Sequence, residues 1–263
     1  MILLAVKLLL APSFVVGASL AARRFGPRVG GVIGGLPVVA GPILLVYALA
    51  HGRVFAASAA AGTLLGLVSL IAFVVVYGRL AGRVFWAASM LAGWLAFALA
   101  TVVFSAFTLP LGAALGLVAV ALLVGLALLP RPGLEVPVHR SPPVWDLPVR
   151  GACALALVLA LTAISGWLGP QLSGLLAPFP IITTVLAIFT HAQRGSDELL
   201  RLLRGLVGGF GAFALFCFTL ALSLRRLDTA ASFALATALA LTMQAGVLAL
   251  MPAPRSAAVT AEY

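Results

Sequence analysis

The sequence predicts an all-α, polytopic membrane helix bundle of about nine transmembrane helices, and three observations carry that prediction. The 263-residue chain is 63% hydrophobic and only 8% charged, whereas a soluble domain has roughly a quarter of its residues charged and about half apolar. Its mean hydropathy is +1.23. Apolar stretches of about 20 residues, each enough to cross roughly 30 Å of hydrocarbon, follow one another along the chain. Together these exclude a water-soluble enzyme, a disordered tail and a cytoplasmic nucleic-acid binder. The net charge of +10 is then a property of loops that orient the chain.

The spans fall in order near 2–22, 29–50, 54–77, 84–107, 111–130, 150–168, 172–190, 200–223 and 229–251. The first is followed directly by Arg23, Arg24 and Arg28. A secretory signal carries its positive charge ahead of the apolar run, so a retained span with a translocated N-terminus is expected. The second contains GGVIGGLPVVAGP (30–42) and the seventh region GLLAPFPIITT (174–184). The third, fourth and fifth are joined by short turns. One substantial loop, RPGLEVPVHRSPPVWDLPVR (131–150), is Pro-rich and mixed in charge, and reads as an extended surface linker. The eighth span opens through SDELLRLLRG (196–205). Its Asp197 sits four residues before Arg201 in a helix start, expected as a solvated helix end with headgroup binding through Arg201 and Arg204 as the alternative.

Nine spans put the termini on opposite sides. One side then holds twelve of the sixteen basic residues: Arg23, Arg24, Arg28, Arg79, Arg83, Arg131, Arg140, Arg150, Arg194, Arg201, Arg204 and Arg255. The other holds Lys7, Arg53, Arg225 and Arg226. The positive-inside rule makes the richer side cytoplasmic, with the N-terminus outside and the C-terminus in the cytoplasm. Arg225 and Arg226 are the weakest point of this topology.

Sliding the chain against itself at an offset of 143 lays residues 6–102 over 149–245 without a gap. Gly26-Pro27 then meets Gly169-Pro170, Gly31 meets Gly174, and Pro37 meets Pro180. Gly52 meets Gly195, Gly62 meets Gly205, and Gly66 meets Gly209. Arg83, Ala87, Ala88 and Ser89 fall on Arg226, Ala230, Ala231 and Ser232. Chance overlay of these windows predicts roughly one glycine coincidence and about a tenth of a proline coincidence; five and two occur. The expected organisation is a four-helix repeat at 1–107, a linker helix and cytoplasmic loop at 108–149, a second four-helix repeat at 150–251 and a cytoplasmic tail at 252–263. The odd span between the repeats makes the second enter the membrane inverted, a common plan among transporters.

The stretch GLLAPFPIITTVLAIFTHAQRGSDELLRLLRG (174–205) resembles the GlpM-type small inner-membrane proteins, four-helix chains about one repeat long. The similarity is anchored on Gly174, the Pro178–Pro180 segment and Arg194-Gly195. The first half departs from it, with GGLPVVAGP where the second has APFPIITTV. The resemblance implies a duplicated four-helix unit in a bacterial-type inner membrane. It brings no catalytic signature.

Proline inside a span removes a backbone donor and crowds the carbonyl four residues earlier, so the helix kinks or breaks. In lipid the freed carbonyls need partners from neighbouring helices, hydroxyls or water. Paired Gly/Pro-interrupted spans in corresponding positions of two halves point to a transporter's central site. The candidate pathway residues are therefore Pro37, Gly41, Pro42, Pro178, Pro180, Thr183 and Thr184, with Gln244 in the last span and its repeat mate Thr101. Packing supplies an alternative account of each: Gly30, Gly31, Gly34 and Gly35 permit close helix approach, and Gln244 and the threonines serve as interhelical hydrogen-bonding glue. Lys7 and Arg150 are also repeat mates and read as snorkelling cations.

All six acids, Glu135, Asp146, Asp197, Glu198, Asp228 and Glu262, fall in loops, at span edges or in the tail. Proton-coupled export of cations needs a titratable carboxylate within the membrane, so that chemistry is disfavoured. Cys153 and Cys217 read as packing residues. His51, His139 and His191 are scattered, so no metal site or cofactor is expected, and no nucleophile–base pair suggests an enzyme. The function expected is a small secondary transporter or channel for an anionic or neutral solute, with a pathway between inverted repeats. The alternative is a non-transporting accessory or assembly protein of the cell envelope. A homodimer is compatible with the sequence, but no residue demands one.

Overall fold

The computed structural model describes residues 2–133, 143, 145–165 and 175–251, and side chains from Pro12 onward except at 157–165. Gly169-Pro170, residues 134–142 and 144 of the 131–150 loop, and the 252–263 tail lie outside the described residues. Among those described, nine helices and no strand are found: α1 Ile2–Phe25, α2 Pro27–Gly34, α3 Ala40–His51, α4 Arg53–Leu80, α5 Trp86–Ser105, α6 Leu111–Leu128, α7 Asp146–Ser165, α8 Ile181–Ser223 and α9 Thr229–Ala249.

Five of these helices, α4, α5, α6, α8 and α9, are each long and apolar enough to cross a membrane. Burial sorts them. In their most apolar stretches α4 and α8 are 72% buried, whereas α5, α6 and α9 are 22%, 17% and 22% buried. The core is therefore a central pair, α4 and α8, with α2 laid against α8 and the more exposed helices on the outside. Leu64, Leu67, Phe73 and Tyr77 from α4 meet Leu199, Leu202, Leu206 and Phe210 from α8 in one continuous cluster. A helix that is apolar on all sides leaves no amphipathic choice of face, so the exposed leucines of α5, α6 and α9 are suited to hydrocarbon rather than water.

The seventh and eighth spans of the sequence correspond to the two arms of α8, separate helices that part at Gly195, whose φ and ψ are not helical. One feature differs from the spans read in the sequence. The 131–150 loop is shorter than expected, because α7 already begins at Asp146, whose charge suits a helix N-terminus.

Backbone geometry recurs at the 143-residue offset. Gly52 (φ 86°, ψ 166°) precedes α4, and Gly195 (φ 84°, ψ −178°) precedes the arm 196–223 of α8. Only glycine adopts that region without strain. Displaced by 143, α4 falls on 196–223 and α5 on 229–248, matching the second arm of α8 and all but the last residue of α9. The turn bonds match as well: Arg83 N–H to Leu80 O (2.8 Å) is paralleled by Arg226 N–H to Ser223 O (2.9 Å).

The basic residues gather by end. Arg79, Arg83, Arg131 and Arg204 line one crevice, and Arg28 and Arg131 lie close enough to act on the Arg204 charge. Arg53 instead donates to Leu227 O (2.8 Å), at the turn that carries Arg225 and Arg226. Arg53 and Arg79 stand at opposite ends of α4, so these residues form two separate clusters.

Candidate functional site

The second helix of each proposed repeat is broken, and the prolines explain how. Pro37 has no N–H to offer Ile33 O, so Leu36 N–H takes that carbonyl instead (3.1 Å). The chain turns through Val38 N–H to Leu36 O (2.8 Å) and re-enters a helix with Gly41 N–H to Pro37 O (2.7 Å). At the second break Phe179 N–H bonds Leu176 O (2.9 Å), Ile181 N–H bonds Phe179 O (2.7 Å), and Thr184 N–H bonds Pro180 O (2.8 Å). Each of these three bonds lies 143 residues beyond its counterpart.

The two breaks face each other. Gly34, Gly35, Leu36, Pro37, Val39 and Ala40 from one, and residues 177–183 from the other, line a cavity of about 30 Å³, closed below by Leu70, Phe210 and Phe213. That is room for about two water molecules. No charged side chain lines it. Both Ala40 and Ile181, the first residues of α3 and α8, lie in its wall. Helix N-termini carry partial positive charge, so the cavity favours a negative or hydrogen-bond-accepting group over a cation.

Glycine lets the central helices reach these breaks. A Cβ on Gly66 of α4 would collide with Leu175 O, and one on Gly209 of α8 would collide with Val32 O. These two contacts are again 143 residues apart on both partners. Each long central helix therefore packs on the broken helix of the other half of the chain.

The candidate residues divide into groups. Pro37, Pro178, Pro180 and Thr183 line the central cavity. Pro37, Gly41 and Pro42 also line an apolar lateral crevice of about 420 Å³ with Phe216, Phe233 and Thr237. Thr184 lies instead in a lateral crevice of about 540 Å³ with Trp94, Met90 and Val185, where its Oγ1 accepts a hydrogen bond from Trp94 Nε1 (3.0 Å). Gln244 and Thr101 do not line the cavity. Gln244 Nε2 donates to Val32 O, while Thr101 Oγ1 is buried without a partner among the described residues.

Sequence reasoning missed three parts of this region. Trp94 and Phe97 bracket Phe179, with ring centroids 6.0 and 5.4 Å away, and nothing in their spacing distinguishes them from lipid-facing aromatics. Asp146 is at a span edge as expected, yet it is fully buried. It accepts from Arg23 (2.6 Å), Arg150 Nε (2.9 Å) and Gln193 Nε2 (2.6 Å). Arg150, expected to snorkel, is instead 5% exposed and stacks 4.8 Å over the Phe189 ring. Burial alone would raise the Asp146 carboxyl, but the bonds from Gln193, Arg150 and Arg23 together hold it below the ordinary carboxylate range.

The 196–205 segment is likewise packed rather than solvated. Leu199, Leu200, Leu202 and Leu203 are buried, and so is Glu198, which accepts from Arg201 (2.7 Å). Cys217 is buried and Cys153 half-buried, both as free thiols. His51 stacks on Phe55 at a centroid distance of 4.7 Å, and His191 packs edge-on against Tyr77.

The long apolar helices are those of an integral membrane protein. Comparison with protein-family models, curated proteins and solved structures gives no match for this chain.

Proposed function

We propose that this protein is a small secondary transporter or channel of a bacterial-type inner membrane, carrying an anionic or neutral solute between two inverted four-helix repeats. One observation carries the reading: two helix breaks with the same hydrogen bonds, 143 residues apart, face each other across an uncharged cavity that holds two helix starts. Discontinuous helices meeting at a pseudo-two-fold axis are the usual way secondary carriers build a midplane site. The reciprocal contacts of Gly66 with Leu175 and Gly209 with Val32 support a two-fold relation between the halves, since each embraces the other's break. The arginine-rich end would face the cytoplasm. On this reading the cavity of about 30 Å³ is the closed state of the pathway.

The test is flux into vesicles reconstituted with purified protein, across a panel of small anions and neutral metabolites. Thr183→Ile, which fills the cavity wall, is expected to abolish uptake while leaving thermal stability in detergent within a few degrees. Uptake unaffected by Thr183→Ile, or no uptake of any solute by the unaltered protein, would overturn the reading.

The small volume of the same cavity favours a second reading, a non-transporting accessory or assembly protein of the envelope. It predicts stable co-purification of the full chain with one membrane complex, and no uptake of any solute by the purified protein.

A further inference from the structure

We propose that the arginine crevice between the C-terminal ends of α4 and α6 and the second arm of α8 binds the phosphate of an anionic phospholipid, whose acyl chain lies along α6. The crevice has a volume of about 760 Å³ and is lined by Arg79, Arg83, Arg131 and Arg204, with Leu123 and Leu126 on its wall. This region lies apart from the cavity between the helix breaks, and the proposal does not depend on transport.

The guanidiniums are held in place by a helix end. Arg79 Nε donates to Leu128 O (3.0 Å), and Arg204 donates to Leu126 O (3.2 Å) and Leu129 O (3.0 Å). The last carbonyls of α6 have no helical partners and carry the negative end of its dipole, so they orient cations without neutralising them. A guanidinium has five N–H donors, and Arg79 uses only its Nε in these bonds. Among the described residues no carboxylate pairs with any of the four arginines.

Charges from every neighbouring element leave an excess. Arg28, from the start of α2, and Arg131 both act on the Arg204 charge. On α8, Glu198 is engaged by Arg201 (2.7 Å), which also donates to Gly133 O (2.8 Å). Asp197 sits beside Gly133. Among the described residues six guanidiniums thus face two carboxylates, one of them already paired. Such an array calls for an anion with several acceptor oxygens, and phosphate matches the guanidinium fork.

The apolar wall selects a lipid over a free anion. Leu123 is 72% exposed and Leu126 38% exposed, one helical turn apart on α6 and leading away from the arginines. A headgroup on the guanidiniums would lay its chain on these leucines, as basic pockets between spans do with anionic lipids.

Native mass spectrometry of the full-length protein, with phosphatidylglycerol, phosphatidylcholine and inorganic phosphate as probes, tests this. Retained phosphatidylglycerol is expected, with little phosphatidylcholine and no displacement by millimolar phosphate. Among the described residues the side chains of Arg83 and Arg131 hold up no other element, so Arg83→Gln with Arg131→Gln should keep the fold and weaken retention on the order of tenfold. Arg53→Gln, at the opposite end, should leave retention unchanged. In the unaltered protein, retention should fall at about 0.5 M salt, where screening is strong. Equal retention of the two lipids, an unaffected double variant, salt-insensitive retention, or displacement by inorganic phosphate would each overturn the proposal.

Discussion

The side-chain amide of Gln244 in α9 donates to the backbone carbonyl of Val32 in α2, 212 residues away. That carbonyl has lost its helical partner: Leu36 N–H, which an unbroken helix would aim at Val32, bonds Ile33 instead. Only Gly35 N–H reaches Val32 O from its own chain segment, at 3.2 Å. A proline therefore frees a carbonyl, and a glutamine from the last span answers it.

Replacing Gln244 by Leu should destabilise the protein by about 1 kcal/mol, because a buried carbonyl is left under-satisfied. Thr101→Val, at the corresponding position of the other half, should change stability by less than about 0.5 kcal/mol, since the Thr101 hydroxyl has no partner to lose among the described residues. Thermal unfolding in detergent separates the two. Equal losses would mean that the Val32 contact contributes nothing.

Gly66→Ala and Gly209→Ala should each cost about 1–3 kcal/mol, because the added methyl meets a backbone carbonyl that cannot rotate away. Gly246→Ala in α9 has open space around its Cβ and should be neutral or stabilising by up to about 1 kcal/mol. Similar losses for the first pair would be expected of equivalent positions in two halves. The same unfolding measurement reads all three.

Gly52→Ala and Gly195→Ala probe conformation alone. Neither Cβ would touch anything within 4 Å, yet both residues hold φ near +85°, at 86° and 84°. Each substitution should cost about 1–3 kcal/mol from backbone strain. Unchanged melting temperatures would show that these turns relax freely.

Asp146→Asn should destabilise by about 3 kcal/mol, because it removes the counter-charge of the buried Arg150. Adding Arg150→Met should recover part of the loss. The pH dependence follows in sign. Hydrogen bonds from three side chains hold the folded carboxyl below its ordinary value, so its contribution is complete above roughly pH 4 and fades as pH falls through the lower folded value. Acid titration of unfolding should therefore show a step in the unaltered protein that Asp146→Asn lacks.

Much of the architecture was legible because lipid imposes it. Runs such as 54–77 and 229–251 have no polar face to turn toward water, so their helical state and approximate ends follow from composition and length. The 143-residue offset was legible because glycine and proline are rare and positional, and Gly52 with Gly195 now share a φ and ψ that other residues avoid. The candidate site was legible only in part. Pro37, Pro178, Pro180 and Thr183 do meet in one cavity, whereas Thr184 turns to Trp94 and Gln244 to Val32.

By itself, the sequence determined that the chain is helical, largely apolar and interrupted by proline at two matching points. Those properties depend on local backbone chemistry and transfer from water, which a residue carries wherever it sits. Tertiary structure decided the rest. It placed α4 and α8 at the centre and left α5, α6 and α9 outside, although all five are similarly apolar. It also buried Asp146 between Arg23 and Arg150. A hydrogen bond or an ion pair is a relation between partners far apart in the chain, and only packing brings such partners within reach.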